Sequence, residues 1–326
     1  MKLRLKPPHR ALAILCLIIA GCSSTQFFYN RADWLLRYQA DHYFNLSKTQ
    51  KPIARQDIRQ WLTWHRRSQL VCYADLIEEF EARANSGLTV ADIDWVVDEF
   101  VALYEAIVTS AMEPTTQILA SLNTKQINHL EKQLAKEQSK LLKELKPGTR
   151  RRLENRAKAT ADNIEKWFGN LSRNQVNWVK ASSLELPDLY APWLEYRAFR
   201  NRALIELLRA GADAQTIAAV LEPLWTDPGE AMSAVNPANE TLMDQMQTES
   251  HAMAVEFYQL ATPKQRAHFW QRMQGYRSDF LQLANIAQGA TCQTPTTQQA
   301  EESLRKPIKP LTSRDSIDNS RATIGS

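Results

Sequence analysis

Apolar side chains recur at every third or fourth position through most of the chain, a spacing that places them on one face of an α-helix. The clearest stripe contains eight residues: Ile93, Val96, Val97, Phe100, Leu103, Tyr104, Ile107 and Val108. Thr89 and Asp92 precede it at the spacing of a capping box, and Pro114 follows it, so we expect this helix to end before Pro114. No run of alternating apolar and polar residues stands out, and the pattern therefore predicts an all-α fold.

Two neighbouring stripes predict a helical hairpin over residues 124–168. The first stripe is narrow and lies within 126–145, and the second ends at Phe168. Pro147 and Gly148 separate them as a short turn. We expect this hairpin to protrude from a multi-helix bundle. The other predicted helices cover residues 28–44, 52–85, 173–184, 189–210, 213–225, 238–260 and 263–287.

The ends of the chain differ in composition from its middle. Residues 1–10 are basic and residues 11–21 are apolar, a combination typical of a signal peptide, and the apolar run is too short to cross a bilayer. From residue 291 onwards apolar residues become rare, so we predict a disordered tail over 291–326. The helical domain should therefore span 22–290, and a subdivision near residue 170 is one interpretation of its length.

Removal of the leader changes the charge balance. The leader contains four bases and no acid, so the 40 Lys and Arg residues fall to 36, which balances the 36 Asp and Glu residues. A chain without net charge has no general attraction to nucleic acid, and we expect no nucleic-acid partner.

The junction after the leader reads Ile19-Ala20-Gly21-Cys22 and resembles the bacterial lipobox. The resemblance implies cleavage before Cys22 and a diacylglycerol on its thiol, so the membrane becomes a partner through the covalent lipid. Ser23 is not the aspartate that retains many such lipoproteins at the inner membrane. We therefore expect an outer-membrane lipoprotein that faces the periplasm. The alternative is an ordinary secretory signal with an incidental cysteine.

Two further cysteines, Cys72 and Cys292, lie in the predicted folded part. In an oxidising compartment such a pair forms either a disulfide or two buried free thiols. No Cys-x-x-Cys motif or Cys/His cluster is present. The sequence therefore predicts no metal and no cofactor.

Four predicted helix starts share a short motif with Ser, Asn or Thr at the cap and Gln three residues later. The cap side chain accepts a hydrogen bond from a free amide, and the glutamine reaches back to the cap amide. The four cap and glutamine pairs are Ser47 and Gln50, Asn123 and Gln126, Ser172 and Gln175, and Thr262 and Gln265, the last as a shifted version. They are either well-made helix starts only, or a sign of relationship, because the pattern resembles the L-T-x-x-Q motif of Spy- and CpxP-like periplasmic chaperones.

A second resemblance covers nearly the whole mature chain. It is carried by Tyr29-Asn30-Arg31-Ala32-Asp33-Trp34-Leu35, by Trp64-His65-Arg66-Arg67 and by Ala261-Thr262-Pro263-Lys264-Gln265-Arg266. These segments resemble a family of bacterial lipoproteins that is defined as a domain of unknown function. The resemblance implies a helical lipoprotein and no particular activity.

Charge is segregated although the total is zero. Residues 74–113 contain ten acids and one base, whereas residues 131–166 contain eleven bases and six acids. The basic stretch is a candidate surface for envelope proteins or anionic lipid headgroups. Its candidate residues are Lys132, Lys136, Lys140, Lys143, Arg150, Arg151 and Arg152. The alternatives are that the acidic and basic helices face each other inside the fold, or that both are solvated faces.

No catalytic or phosphate-binding motif is present, and the histidines of the mature chain are scattered. Trp61, Trp64, His65, Arg66 and Arg67 form an aromatic and basic cluster that either stacks on a ligand or packs between helices. The sequence therefore favours a non-catalytic binding or chaperone-like envelope factor. A scaffold subunit of an envelope complex is the alternative, and a cell-wall enzyme is a weaker one.

Overall fold

The computed structural model describes residues 24–146, residues 148–285 and Cys292. The described residues all belong to one compact unit. The predicted signal peptide, the predicted acylation site Cys22, Pro147 and the predicted disordered tail, apart from Cys292, lie outside the described residues. This unit continues across residue 170, the position of the possible subdivision.

The described residues form helices and no strands, so the predicted all-α fold is confirmed. The helices are α1 (Ser24–Tyr29), α2 (Ala32–Phe44), α3 (Gln50–Asn85), α4 (Val90–Ala120), α5 (Thr124–Lys143), α6 (Thr149–Phe168), α7 (Arg173–Glu185), α8 (Tyr190–Arg209), α9 (Ala214–Thr226), α10 (Pro228–Val235), α11 (Ala238–Leu260) and α12 (Pro263–Asn285).

Several small cores hold the bundle together. The long helix α3 packs against α12, α4 and α2, and α4 also packs against α9 and α11. One core joins α4, α5, α8 and α9 around Leu130 and Ile217, which are almost fully buried. A second joins α3, α4, α11 and α12 around Trp270. These cores bury apolar residues of several helices at once, which stabilises the bundle by removing them from water.

The predicted hairpin over 124–168 requires a correction. Both helices and their short connection are present, but they do not pack along each other. The stripe of α5 contacts α2 and α8, whereas α6 packs against α7 and α12. Leu130 belongs to the core with α8 and α9, and Ala161 belongs to another core with α7 and α11. Each stripe has a better partner elsewhere, so the two helices diverge and do not form a paired, protruding arm.

Two other helix predictions were wrong. The fourth helix does not end before Pro114 but continues through it to Ala120. A proline removes one backbone donor, and here the burial of Ile118 and Leu119 against neighbouring helices offsets that loss. The short helix α10 was missed, although Asp227 before Pro228 carries its signal. The Asp227 carboxylate accepts a hydrogen bond from the Glu230 amide at 2.8 Å and caps this helix.

Candidate functional site

The four Ser/Asn/Thr and Gln motifs form reciprocal caps at the starts of α3, α5, α7 and α12. At Asn123, the Gln126 amide donates to Asn123 Oδ1 at 3.1 Å, and the Asn123 amide donates to Gln126 Oε1 at 3.1 Å. The equivalent pairs of bonds are present at Ser47, Ser172 and Thr262. Two otherwise free amides are satisfied at each helix start.

The motifs also bind one another in pairs. Gln126 Nε2 donates to Gln50 Oε1 at 2.7 Å and to the Asn45 carbonyl at 3.0 Å. Gln50 Nε2 in turn donates to the Ser121 carbonyl at 3.1 Å. Asn45 and Ser121 each precede the apolar residue of their own motif, so the two helix starts exchange equivalent bonds.

The remaining two motifs repeat this arrangement. Gln175 Nε2 donates to Gln265 Oε1 at 2.8 Å and to the Leu260 carbonyl at 3.1 Å. Gln265 Nε2 donates to the Asn170 carbonyl at 2.9 Å. The fourth motif is therefore not shifted, because Ala261 occupies the position that leucine holds in the other three and is buried.

All four glutamines are buried, and each side chain has both its oxygen and its nitrogen engaged. A capping box alone needs only an acceptor, which glutamate supplies as well as glutamine. The amide nitrogen is required for the bond to the partner motif. The recurrence of glutamine at all four positions is thus the sequence signal for pairing, which neither the capping interpretation nor the resemblance to chaperones predicts.

We expect Gln126→Glu to destabilise the fold by about 3 kcal/mol, because it keeps the cap acceptor but places a carboxylate against the Gln50 oxygen and two carbonyls. Urea unfolding followed by circular dichroism measures the change. Asp92 caps α4 without meeting a partner motif, so Asp92→Asn is the control. It also loses the ion pair with Arg83 at 3.8 Å and should cost no more than about 1 kcal/mol. Equal losses for the two variants would show that the pairing adds nothing to capping.

The structure contains part of the predicted basic surface. Lys132, Lys136, Lys140 and Lys143 are exposed and share one face of α5, and in the described part of the chain none of them has an ion pair. We call these four residues the lysine stripe. Two acids on α5 point towards α8. Glu131 pairs with Arg209 at 2.6 Å, and Glu137 pairs with Arg197 at 2.8 Å. The stripe is therefore a cationic surface, and the two acids within α5 are engaged by arginines of α8.

The three predicted arginines have different environments. Arg150 is exposed and pairs with Glu154 at 3.2 Å, and Arg151 is exposed. Arg152 is half-buried in an ion pair with Asp188 and must be removed from the predicted surface. Nearby, Arg156 donates to the Ser183, Leu186 and Pro187 carbonyls at 2.6 Å each and so caps the end of α7. The half-buried bases in the first part of α6 therefore stabilise the fold through contacts within the protein.

The acidic stretch does not face the basic one. Glu78 pairs with Arg277, Glu79 pairs with Arg83, and Asp94 contacts His251. Among the described residues no ion pair joins 74–113 to 131–166. The described residues therefore do not contain the pairing of acidic and basic helices inside the fold that the sequence left open.

The aromatic cluster on α3 packs between helices. The His65 imidazole is hydrogen-bonded to the Tyr29 hydroxyl at 2.8 Å and to the Tyr73 hydroxyl at 3.2 Å, and Trp61 Nε1 donates to Ser110 Oγ at 3.0 Å. Burial, with a smaller effect of the Arg66 charge, lowers the pKa of His65 to about 4. Burial also raises the pKa of Tyr73 to about 12. These groups are therefore neutral at pH 7 and join α1 to α3 as part of the core.

Cys72 and Cys292 form a disulfide in the structure, with Cα atoms 4.7 Å apart. Cys72 is buried on α3, next to the core in which Leu70 contacts Leu283 and Ala284 near the end of α12. The bridge thus reinforces the packing of α12 on α3. In the described parts of the chain no group of three or more His, Cys, Asp or Glu side chains is arranged to hold a metal ion.

A model of the DUF6279 family, a family of unknown function, matches residues 42–230. This is more than half of the chain, and the chain therefore belongs to that family. The expected membership of an uncharacterised family is confirmed, over a shorter span than the resemblance suggested. No curated protein and no solved structure matches the chain, so the likeness to Spy- and CpxP-like proteins is not shown. Within the described residues, no helix has both the length and the apolar character needed to cross a bilayer.

Proposed function

We propose that this protein is an outer-membrane-anchored, periplasm-facing helical lipoprotein that acts as a non-catalytic binding or chaperone-like factor in envelope maintenance. The lipobox-like junction at Cys22 supports the anchor. The binding role is supported by one observation above the others, the lysine stripe of α5. Its four charges are exposed, while the acids Glu131 and Glu137 on the same helix are held by arginines of α8.

The stripe suits an acidic, unfolded segment better than a rigid partner. Lys132 and Lys143 are eleven residues apart, or about 16 Å along the helix, which is the length of roughly five extended residues. Lysine side chains present apolar stems as well as charged tips, and both parts can contact an extended chain. Dissolved salt screens the interactions of exposed charges. The affinity of the lysine stripe for an acidic segment should therefore fall as the salt concentration rises from low to physiological.

Charge reversal on the stripe tests this role. We expect the mature protein, reconstituted in phosphatidylcholine vesicles, to suppress aggregation of reduced α-lactalbumin, an acidic unfolded client, as measured by light scattering. The variant Lys136→Glu/Lys140→Glu/Lys143→Glu should need about tenfold more protein for the same effect, because three exposed contacts become repulsive. A wild-type protein without effect on several acidic clients at excess would contradict the chaperone-like role.

A matched control separates the stripe from net charge. Arg173, Lys180 and Lys264 are exposed bases on other helices, without ion pairs in the described residues. Reversal of all three gives the same change in total charge and should leave the suppression unchanged. Photocrosslinking in cells from residue 140 then distinguishes the alternative function. Several crosslinked proteins support a client-binding factor, whereas one fixed partner supports a scaffold subunit.

A further inference from the structure

An open groove of about 960 Å³ lies between α2 and the beginning of α3. Both helices contribute residues at intervals of three and four, so one face of each helix forms one wall. The α2 wall is aromatic, with Trp34 and Tyr38, and the α3 wall is basic, with Lys51, Arg55 and Arg59. Lys48, in the turn before α3, extends the basic wall. We call this feature the α2–α3 groove.

The charges of the groove are unbalanced. Five bases and one acid, Asp41, line it. Lys51 pairs with Asp41 at 2.9 Å, and Arg37 pairs with Asp33 just outside the groove at 2.8 Å. Lys48 and Arg55 are exposed and have no ion pair in the described part of the chain. The groove therefore offers two uncommitted cations to an anionic group, and a phosphate fits this chemistry.

The aromatic wall is flat and open to water. Trp34 is 61 % exposed and Tyr38 is 56 % exposed. Their rings stack with centroids 5.7 Å apart, and Tyr38 stacks in turn on His42 at 6.2 Å. Exposed tryptophan and tyrosine beside bases are typical of surfaces at the level of lipid headgroups. The exposure of these rings costs free energy in water, and contact with a ligand or an interface removes that cost.

The groove lies near the proposed anchor in the chain. Helix α1 begins at Ser24, two residues after Cys22, a distance of at most about 7 Å when extended. Phe28 on α1 is 69 % exposed. α1 is held in place by Gln26 Nε2, which donates to Gln282 Oε1 at 2.6 Å, and by the Tyr29 contact with His65. An acyl chain on Cys22 would therefore bring the aromatic residues of α1 and α2 to the membrane surface.

We propose that the α2–α3 groove binds the phosphate headgroup of an anionic membrane amphiphile, with the phosphate between Lys48 and Arg55 and the glycerol or sugar part against Trp34 and Tyr38. This deepens the proposed function, since it depends on the anchor for its supply of ligand. The acyl chains attach the protein to the membrane, and the headgroup contact fixes the orientation of the bundle on that membrane.

The test uses the full mature protein in uncharged maltoside micelles, so that it depends neither on a client nor on the state of Cys22. Phosphatidylglycerol is titrated into the micelles, with phosphatidylcholine, glycerol phosphate and inorganic phosphate as separate arms. The fluorescence change that is lost in Trp34→Phe reports on the groove. We expect saturable binding of phosphatidylglycerol, and we expect Lys48→Glu/Arg55→Glu to weaken it about tenfold.

The control is Arg173→Glu/Lys180→Glu on α7, two exposed bases outside both the groove and the lysine stripe, which makes the same change in charge and should bind as the wild type does. Circular dichroism confirms that each variant is folded. Unchanged binding by Lys48→Glu/Arg55→Glu, or equal binding of phosphatidylcholine, would overturn the proposal. Equal affinity for inorganic phosphate would overturn the lipid as its source and assign the groove to a soluble phosphate compound. Loss of client suppression with intact phosphatidylglycerol binding would count against the proposed function alone.

Discussion

Cys22→Ala should release essentially all of the protein from the membrane fraction. The lipobox resemblance implies that Cys22 receives a diacylglycerol and then an acyl group on its new amino terminus. Each buried methylene contributes about 0.8 kcal/mol to membrane binding, so three chains hold a protein almost irreversibly whereas one chain does not. Removal of the thiol removes all three chains together. Fractionation of cells labelled with palmitate measures both attachment and acylation.

Ser23→Asp provides the control for this experiment. It leaves the acylated thiol intact, so the palmitate label should remain, and the protein should move to the inner membrane, where such an aspartate retains many lipoproteins. The mature amino terminus, determined by mass spectrometry, should be the modified residue 22. Palmitate incorporation and membrane attachment that persist in Cys22→Ala would contradict the anchor.

Local signals predicted the helices well, because each depends on residues within one or two turns. Thr89 and Asp92 form the capping box that their spacing indicated. In the apolar stripe that follows, Ile93 and Leu103 are buried, whereas Phe100 is exposed.

The wrong prediction that α4 ends before Pro114 has a different cause. The cost of a proline inside a helix is local, but the burial that offsets it comes from residues far from Pro114 in sequence. Ile118 packs with Ala54, and Leu119 packs in the core with α8 and α9.

The paired glutamines and the lysine stripe could be predicted only in part for the same reason. Gln50 and Gln126 are 76 residues apart, and Gln175 and Gln265 are 90 residues apart. The motif shows that each glutamine caps its helix, but not which helix start it meets. Likewise, no local pattern showed that Arg197, 60 residues away, would engage Glu137 and leave the lysines of α5 unbalanced.

Removal of the disulfide should destabilise the fold more than Gln126→Glu does. The bridge joins residues separated by 220 positions. On the chain-entropy model, a loop of this length stabilises the folded state by about 5 kcal/mol, because it restricts the unfolded chain. The double variant Cys72→Ala/Cys292→Ala should therefore unfold at a clearly lower urea concentration than the wild type under oxidising conditions.

The loss of stability should begin in one region of the bundle. Cys292 follows α12, and α12 holds α1 through Gln26, which contacts Asp279 and Gln282. Without the bridge, hydrogen exchange should increase first at the end of α12 and in α1, before the core around Leu130 is affected. A reductant should destabilise the wild type and leave the double variant unchanged. Two free thiols in the denatured, unreduced protein would show that the bridge does not form in cells, and the variant should then match the wild type.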